Sequence, residues 1–197
     1  MRYIPLLLIP FFICACSTLP PALNFLSAFD VYSSSKDSRD IYIQSKDKII
    51  KTNIQSQFLA HDRLNNKDID VESYYGEVLL IGEISSPNDE QSAINIAQSV
   101  SGVKKVKTFL ILKNKNSCTS YENNKILLNL KKELYADSIV KGSTIKVSVV
   151  QCKVVLSGVV NTINELKHIM WYSTHIDGIN EVYSFIHVFE ELKNKKD

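Results

Sequence analysis

Apolar and polar positions along this chain follow two alternating rhythms. Between residues 40 and 60, Ile43, Ile50, Ile54 and Phe58 recur at helical spacing, with Asp47 in the same row, which predicts an amphipathic helix. Residues 68–74 switch to a period of two, with Ile69, Val71 and Ser73 set against charged neighbours: a strand with one buried and one solvated face. Residues 77–83 form a second strand, and Tyr75-Gly76 turns the chain between the two as a hairpin. Pro87-Asn88-Asp89-Glu90 then opens a helix whose inner face carries Ala93, Ile96, Ala97 and Val100, and Ser101-Gly102 stops it. Residues 103–112 supply a third strand.

The same order returns in the second half at one constant offset. Val71 to Gly82 aligns without a gap with Val147 to Gly158. Ile50, Ile54 and Phe58 pair with Ile126, Leu130 and Leu134, and Gly102-Val103 pairs with Gly178-Ile179. Matched apolar and glycine positions across a whole unit mark an internal repeat. The second unit is predicted as a helix over 121–136, strands over 144–151 and 153–159, a helix over 162–176 and a strand over 179–190. Each unit of about 75 residues is near the lower size limit for an independent core. The fold class is α+β: two tandem units, each helix-strand-strand-helix-strand, with two helices on one face of a three-stranded sheet. The chain divides into 1–15 (signal), 16–39 (anchored N-terminus and tether), 40–113 (unit one), 114–120 (linker), 121–190 (unit two) and 191–197 (charged tail).

Composition narrows the function without naming it. Of 197 residues, 45% are hydrophobic and 22% charged, with a net charge of +2. That is globular composition, and the charge is too near neutral for a general nucleic-acid binder, which needs a clear cationic excess to neutralise phosphates. The N-terminus differs from the rest. Arg2 precedes an apolar run from Tyr3 to Ile13, the pattern of a bacterial secretory signal; Pro5 and Pro10 interrupt it, against a membrane span. Ile13-Cys14-Ala15-Cys16 resembles a lipoprotein lipobox, which implies that Cys16 becomes the acylated mature N-terminus. Ser17 after that cysteine, rather than Asp, favours the outer membrane by resemblance to the enteric sorting rule. Acyl chains anchor by roughly 0.8 kcal/mol per buried methylene.

Catalytic chemistry is sparse. His61, His168, His175 and His187 have no cysteine partner at metal spacing, and no phosphate loop, nucleophile elbow or HExxH is present. The expectation is no enzyme, no metal and no cofactor. Asp68 and Asp70 are read as a solvated polar face. In an oxidising compartment Cys118, just before the first helix of unit two, and Cys152, at the hairpin turn, can pair, because that helix and strand have similar lengths and run back along each other.

Differences between the two copies carry more information. Tyr121, Lys125, Leu128, Lys131, Lys132 and Tyr135 make a Leu/Tyr stripe flanked by lysines, which suits an anionic bilayer surface. The competing reading packs Leu127 and Leu128 on the other unit. Met170-Trp171 is the second excess over unit one, read as an inter-domain contact, with a partner or membrane contact as the alternative.

The element order, the run Val71 to Gly82 and Ser101-Gly102-Val103-Lys104-Lys105-Val106 resemble the BON domain. Lipobox, tether and two such units are similar to the dual BON-domain outer-membrane lipoproteins of Gram-negative bacteria. Asp37-Ser38-Arg39 and Ser138-Ile139-Val140-Lys141 add to the likeness. The resemblance implies a non-enzymatic protein on the periplasmic face of the outer membrane. It implies binding of anionic phospholipid through the first helix of unit two, support of envelope integrity and links to division and outer-membrane assembly. That family's lipid-binding helix starts with a tryptophan where this chain has Lys125. The alternative function is a periplasmic adaptor that binds envelope or division proteins.

Overall fold

The computed structural model describes residues 37, 39–61, 64, 68–114, 118–140 and 144–194. The signal-like run, Cys16 and residues 17–36 of the tether lie outside them. The elements are α1 (Ile41–Leu59), β1 (Ile69–Tyr74), β2 (Glu77–Ile84), α2 (Pro87–Ser99), β3 (Lys105–Leu112), α3 (Ser120–Ala136), β4 (Ile145–Val150), β5 (Lys153–Val160), α4 (Ile163–His175), β6 (Glu181–Val188) and a short α5 (Phe189–Asn194).

Two three-stranded sheets result, β1-β2-β3 and β4-β5-β6. In each, a hairpin is antiparallel and a helical crossover returns the last strand parallel to the middle one. The registers repeat as the sequence offset requires: Ile69 faces Gly82 as Ile145 faces Gly158, and Glu77 faces Lys105 as Lys153 faces Glu181. Both glycines are needed. A Cβ on Gly82 would lie 1.9 Å from the Asp68 carbonyl oxygen, and one on Gly158 2.4 Å from that of Thr144. The close approach is to the backbone at the start of the neighbouring strand.

Both helices of each unit cover the same sheet face. In unit one Ile50, Ile54 and Phe58 of α1 and Ala93 and Ala97 of α2 close over Val71, Val78 and Leu80. In unit two Ile126, Leu130 and Leu134 of α3 and Ile169 of α4 close over Val147, Val154 and Leu156. The other faces of the sheets meet each other. Leu79, Ile81, Phe109 and Val155 form a third core with Ile111, Val150 and Phe185. The layers therefore run helices, sheet, sheet, helices, and the two helical layers lie at opposite ends of the molecule.

This arrangement corrects the reading of β1 as a strand with a solvated face. Asp70 and Glu72 point at unit two, where the Lys146 Nζ stands 3.3 Å from Asp70 and 3.7 Å from Glu72, and Lys51 reaches Glu72 at 3.0 Å. Asp68, just before the strand, pairs with Lys113 at 2.9 Å. Alternation alone does not tell water from a second sheet. Gln151 adds a polar stitch, donating to Glu83 and to the Leu112 carbonyl.

The element ends also differ from expectation. Asp40 is an N-cap rather than a helical residue, and α3 begins at Ser120, with Thr119 of the expected linker as its N-cap. The last strand stops at Val188, and the chain enters α5 across part of the expected tail. Asp37 and Arg39 belong to the fold rather than to a free tether. Arg39 is gripped by Asp37 and Asp47 and lies over the Tyr74 ring, 4.8 Å from its centroid.

Candidate functional site

The first helix of unit two is fixed at its start by two devices. Thr119 and Glu122 form a capping box: the Thr119 hydroxyl accepts from the Glu122 N–H, and the Glu122 carboxylate accepts from the Thr119 N–H at 2.7 Å. Just upstream, Cys118 is bonded to Cys152 in the hairpin turn, with Cα atoms 5.6 Å apart. One turn further in, Asn123 accepts from the Cys152 N–H at 2.8 Å. At the other end Asp137 closes the helix. Its carboxylate accepts from the Ile139 and Val140 N–H groups and from the Tyr172 hydroxyl of α4, and lies 3.0 Å from His168 Nδ1. The Val140 bond, with those of His168, Ile139 and Tyr172, holds this carboxyl well below the usual range, although burial opposes the shift.

With Ile126, Leu130 and Leu134 seated on the sheet, the opposite side of α3 faces away from it. Leu128 lies two residues from both Ile126 and Leu130, about 200° around the helix from each. It is 67% exposed, so the packing reading of Leu128 does not hold. Leu127, one position earlier, packs at the edge of the core. Tyr121 is 76% exposed and Tyr135 43% exposed, each seven residues from Leu128, on the same stripe. Lys125 and Lys132 flank the stripe on one side and half-buried Lys131 on the other. Among the described residues Lys125, Lys131 and Lys132 make no ion pair, whereas Lys51, Lys107, Lys113, Lys146 and Lys153 are each matched to a carboxylate. Burial, and secondarily the Lys146 charge, lowers the Lys131 pKa.

The structure brings Tyr121, Lys125, Leu128, Lys131, Lys132 and Tyr135 onto one helix, whose start the Cys118–Cys152 bond holds. Trp171 corrects the inter-domain reading. It lies on α4, in the outer helical layer, 55% exposed, stacked on the His175 ring at 4.4 Å and edge-on to Tyr172. The two histidines spaced by seven part company, His168 to Asp137 and His175 to Trp171. Among the described residues no group of three His, Cys, Asp or Glu side chains is arranged to hold a metal ion, and no helix is long and apolar enough to cross a membrane.

Two features escaped the sequence reading. On α1, Ile41, Tyr42, Ile49 and Leu59 are exposed, and Lys46 Nζ sits 4.2 Å over the Tyr42 ring; Tyr42 and Ile49 stand seven apart, a signal the same periodicity argument could have found. His187 lies at the seam between the units, its ring 5.9 Å from Tyr75 and 6.2 Å from Tyr74. With Glu77, Leu79, Lys107 and Phe185 it lines a cleft about the size of one water molecule.

Comparison with known proteins agrees with this architecture. A family profile described as the BON domain matches residues 46–114 and 123–189. The chain is similar to osmotically-inducible protein Y of Escherichia coli (strain K12), 26% identical over 139 residues that cover 69% of each protein. Two solved structures of CdsD, a structural protein of the type III secretion system of Chlamydia trachomatis, also match. One, of the C-terminal domain, is 13% identical, with 73% of this chain and 67% of that chain covered and a TM-score of 0.30. The other is 11% identical, with 74% and 96% covered and a TM-score of 0.31.

Proposed function

The chain belongs to the BON-domain family, with two copies of the domain in tandem, and from that premise we propose that it is a binding protein of the bacterial envelope whose second domain meets anionic phospholipid through α3. One observation carries the reading. Leu128 and two tyrosines project from a helix whose three outward lysines have no carboxylate partner among the described residues. An apolar stripe in a ring of unpaired cations suits a surface with anionic headgroups above an apolar layer. Each such lysine is worth about 1 kcal/mol near an anionic surface, less as salt screens the field. The protein works by binding rather than by catalysis. The osmotic inducibility in the name of the Escherichia coli relative adds osmotic stress as the setting of this reading. Its anchor is acylated Cys16, with the domains on the periplasmic face of the outer membrane. Cys16→Ala should then leave an unprocessed precursor without lipid; normal maturation of that variant would defeat the anchor.

Co-sedimentation of residues 37–197 with vesicles containing phosphatidylglycerol tests the surface. Leu128→Glu should weaken binding about tenfold through loss of an apolar contact and added repulsion, with circular dichroism unchanged because the residue is exposed. Thr52→Glu, the equivalent change in unit one, should leave binding as it is. Equal binding by Leu128→Glu and wild type would favour a second reading, an adaptor for envelope or division proteins. The observation behind that reading is the exposed Ile41, Tyr42 and Ile49 of α1.

A further inference from the structure

Unit two has a second outward row, on α4. Ile163, Lys167, Trp171 and His175 recur every four residues, and the buried row of the same helix is Glu165, Ile169 and Ser173. Trp171 therefore stands two residues from both Ile169 and Ser173, as Leu128 stands two from both Ile126 and Leu130. Both side chains lie about 200° from rows seated on the same sheet, so both rows face away from it in one direction. The two helices are tied together by Asp137, which caps α3 and accepts from Tyr172 of α4. Tyr172 in turn meets the Trp171 ring edge-on at 5.1 Å.

The repeat supplies an internal control. At the positions of Tyr121, Leu128, Lys132, Lys167, Trp171 and His175, unit one has Ser45, Thr52, Ser56, Gln91, Asn95 and Ser99. The unit-one side chains bond to their own helices: Ser45 to the Ile41 carbonyl, Thr52 to that of Lys48, Ser56 to that of Thr52, Ser99 to that of Ile96, and Gln91 to Asn95. Of two helical layers built on one plan, only that of unit two carries an apolar, aromatic or cationic side chain at each of these outward positions. Lys167, like the lysines of α3, has no carboxylate partner among the described residues.

We infer that Trp171 and Lys167 of α4 are part of the contact, so that the whole outer helical layer of unit two lies flat on an anionic bilayer. Tryptophan suits the headgroup boundary, with an apolar ring and one N–H donor. Its stacking on His175 holds the ring outward in one orientation. The inference rests on the α3 reading and extends it from a stripe to a plane, which fixes how the domain pair stands: unit two against the lipid, unit one pointing away.

Trp171 is the single tryptophan of the chain, so its emission reports this contact directly. The full chain is reconstituted into phosphatidylcholine vesicles with and without phosphatidylglycerol, each with bromine-labelled acyl chains. The sole tryptophan stays at 171, or is moved to α3 by combining Trp171→Phe with Tyr121→Trp, or to unit one by combining Trp171→Phe with Asn95→Trp. In anionic vesicles the first two proteins should show blue-shifted, bromine-quenched emission, and the third neither. Lys167→Gln should lower the docked-to-free ratio reported by Trp171 about fivefold. Quenching at 121 without quenching at 171 overturns the role of α4 and leaves the α3 reading standing. Absence of quenching at both overturns both. Quenching at 95 as strong as at 171 overturns the orientation.

Discussion

The two hairpin turns solve one mechanical problem with different chemistry. In each unit the segment before the first helix must be held against the turn between the first two strands. In unit one the agent is charge. Asp47, 4% exposed on α1, accepts from the Ser73 hydroxyl and the Tyr75 and Gly76 N–H groups at 2.8–2.9 Å, and binds the Arg39 guanidinium at 2.5 Å. In unit two the equivalent helix residue is the uncharged Asn123, with one bond to the turn, and the Cys118–Cys152 bond supplies the rest. The backbones differ accordingly. Tyr75-Gly76 turn at φ 58° and 80°, with glycine second; Gln151-Cys152 turn at 51° and 59°, with no glycine. A non-glycine residue in this left-handed region costs roughly 1–2 kcal/mol. Unit two tolerates a strained turn because a covalent link closes it. Unit one has the easier turn and holds it with an ionic network that depends on burial.

The largest effect should come from the charged side. Asp47→Ala leaves Arg39 buried without its inner partner and strips acceptors from the two turn N–H groups and Ser73. Losing one member of a buried pair costs about 3–5 kcal/mol. Chemical unfolding should show that loss. Asp47→Asn copies unit two and should lose less, since an amide oxygen still accepts from the turn. If Asp47→Ala were nearly neutral, the network would be ornament and the comparison would fail. The covalent side comes next. Cys118→Ser with Cys152→Ser, or plain reduction, removes a bond across 34 residues, worth roughly 2–4 kcal/mol. Reductant should destabilise the wild type and leave the serine variant unmoved.

Acid should separate the clamps a third way. His187 meets the rings of Tyr74 and Tyr75 beside the ionic network, and Ile111 stands at its place in unit one. Burial lowers the His187 pKa; Glu77 opposes this, while Lys107 and Arg39 add to it, and Asp47 opposes it weakly. A base with a lowered folded pKa binds fewer protons folded than unfolded. Stability therefore falls as pH drops through the ordinary histidine range near 6.5 and levels off below the folded value. The slope contributed is at most about 1.4 kcal/mol per pH unit. His187→Gln should remove that part of the slope in thermal melts between pH 7.5 and 5. An unchanged slope would mean that His187 contributes no acid sensitivity in this range; Asp137 acts only below it. Its lowered pKa keeps stability above the unfolded carboxyl range and loses it as pH falls toward the folded value.

How far these features could be read beforehand depended on whether they were local. Apolar periodicity and the gapless repeat place every strand and the four long helices within a few residues, because each unit buries one face in the same rhythm. The pairing of the two sheets was not legible: Leu79, Ile81, Phe109 and Val155 alternate in the same way whether their face meets water or another sheet. Trp171 was misplaced for the same reason, since surplus apolarity on this helix was assigned first to the interface between the units. The role of Asp47 was hidden inside a helical period. A carboxylate in a core row reads as an interruption until the turn it caps is known.

The smallest effect is the most direct test of the exchange between strain and bond. If the disulfide is what lets unit two dispense with glycine, removing it should expose the cost of the turn at Cys152. The comparison pairs Cys118→Ser/Cys152→Ser with Cys118→Ser/Cys152→Gly. Both lack the bond and both keep the backbone N–H that Asn123 accepts from. They differ only in the residue at φ 59°, where serine carries a Cβ that the left-handed conformation disfavours and glycine does not. Glycine also gives up more freedom on folding, which offsets part of the gain. The glycine variant should be the more stable by about 1 kcal/mol, measured as a higher urea midpoint at unchanged slope. Equal midpoints would mean that the turn carries no strain worth relieving, and that the disulfide serves the N-terminus of α3 rather than the hairpin.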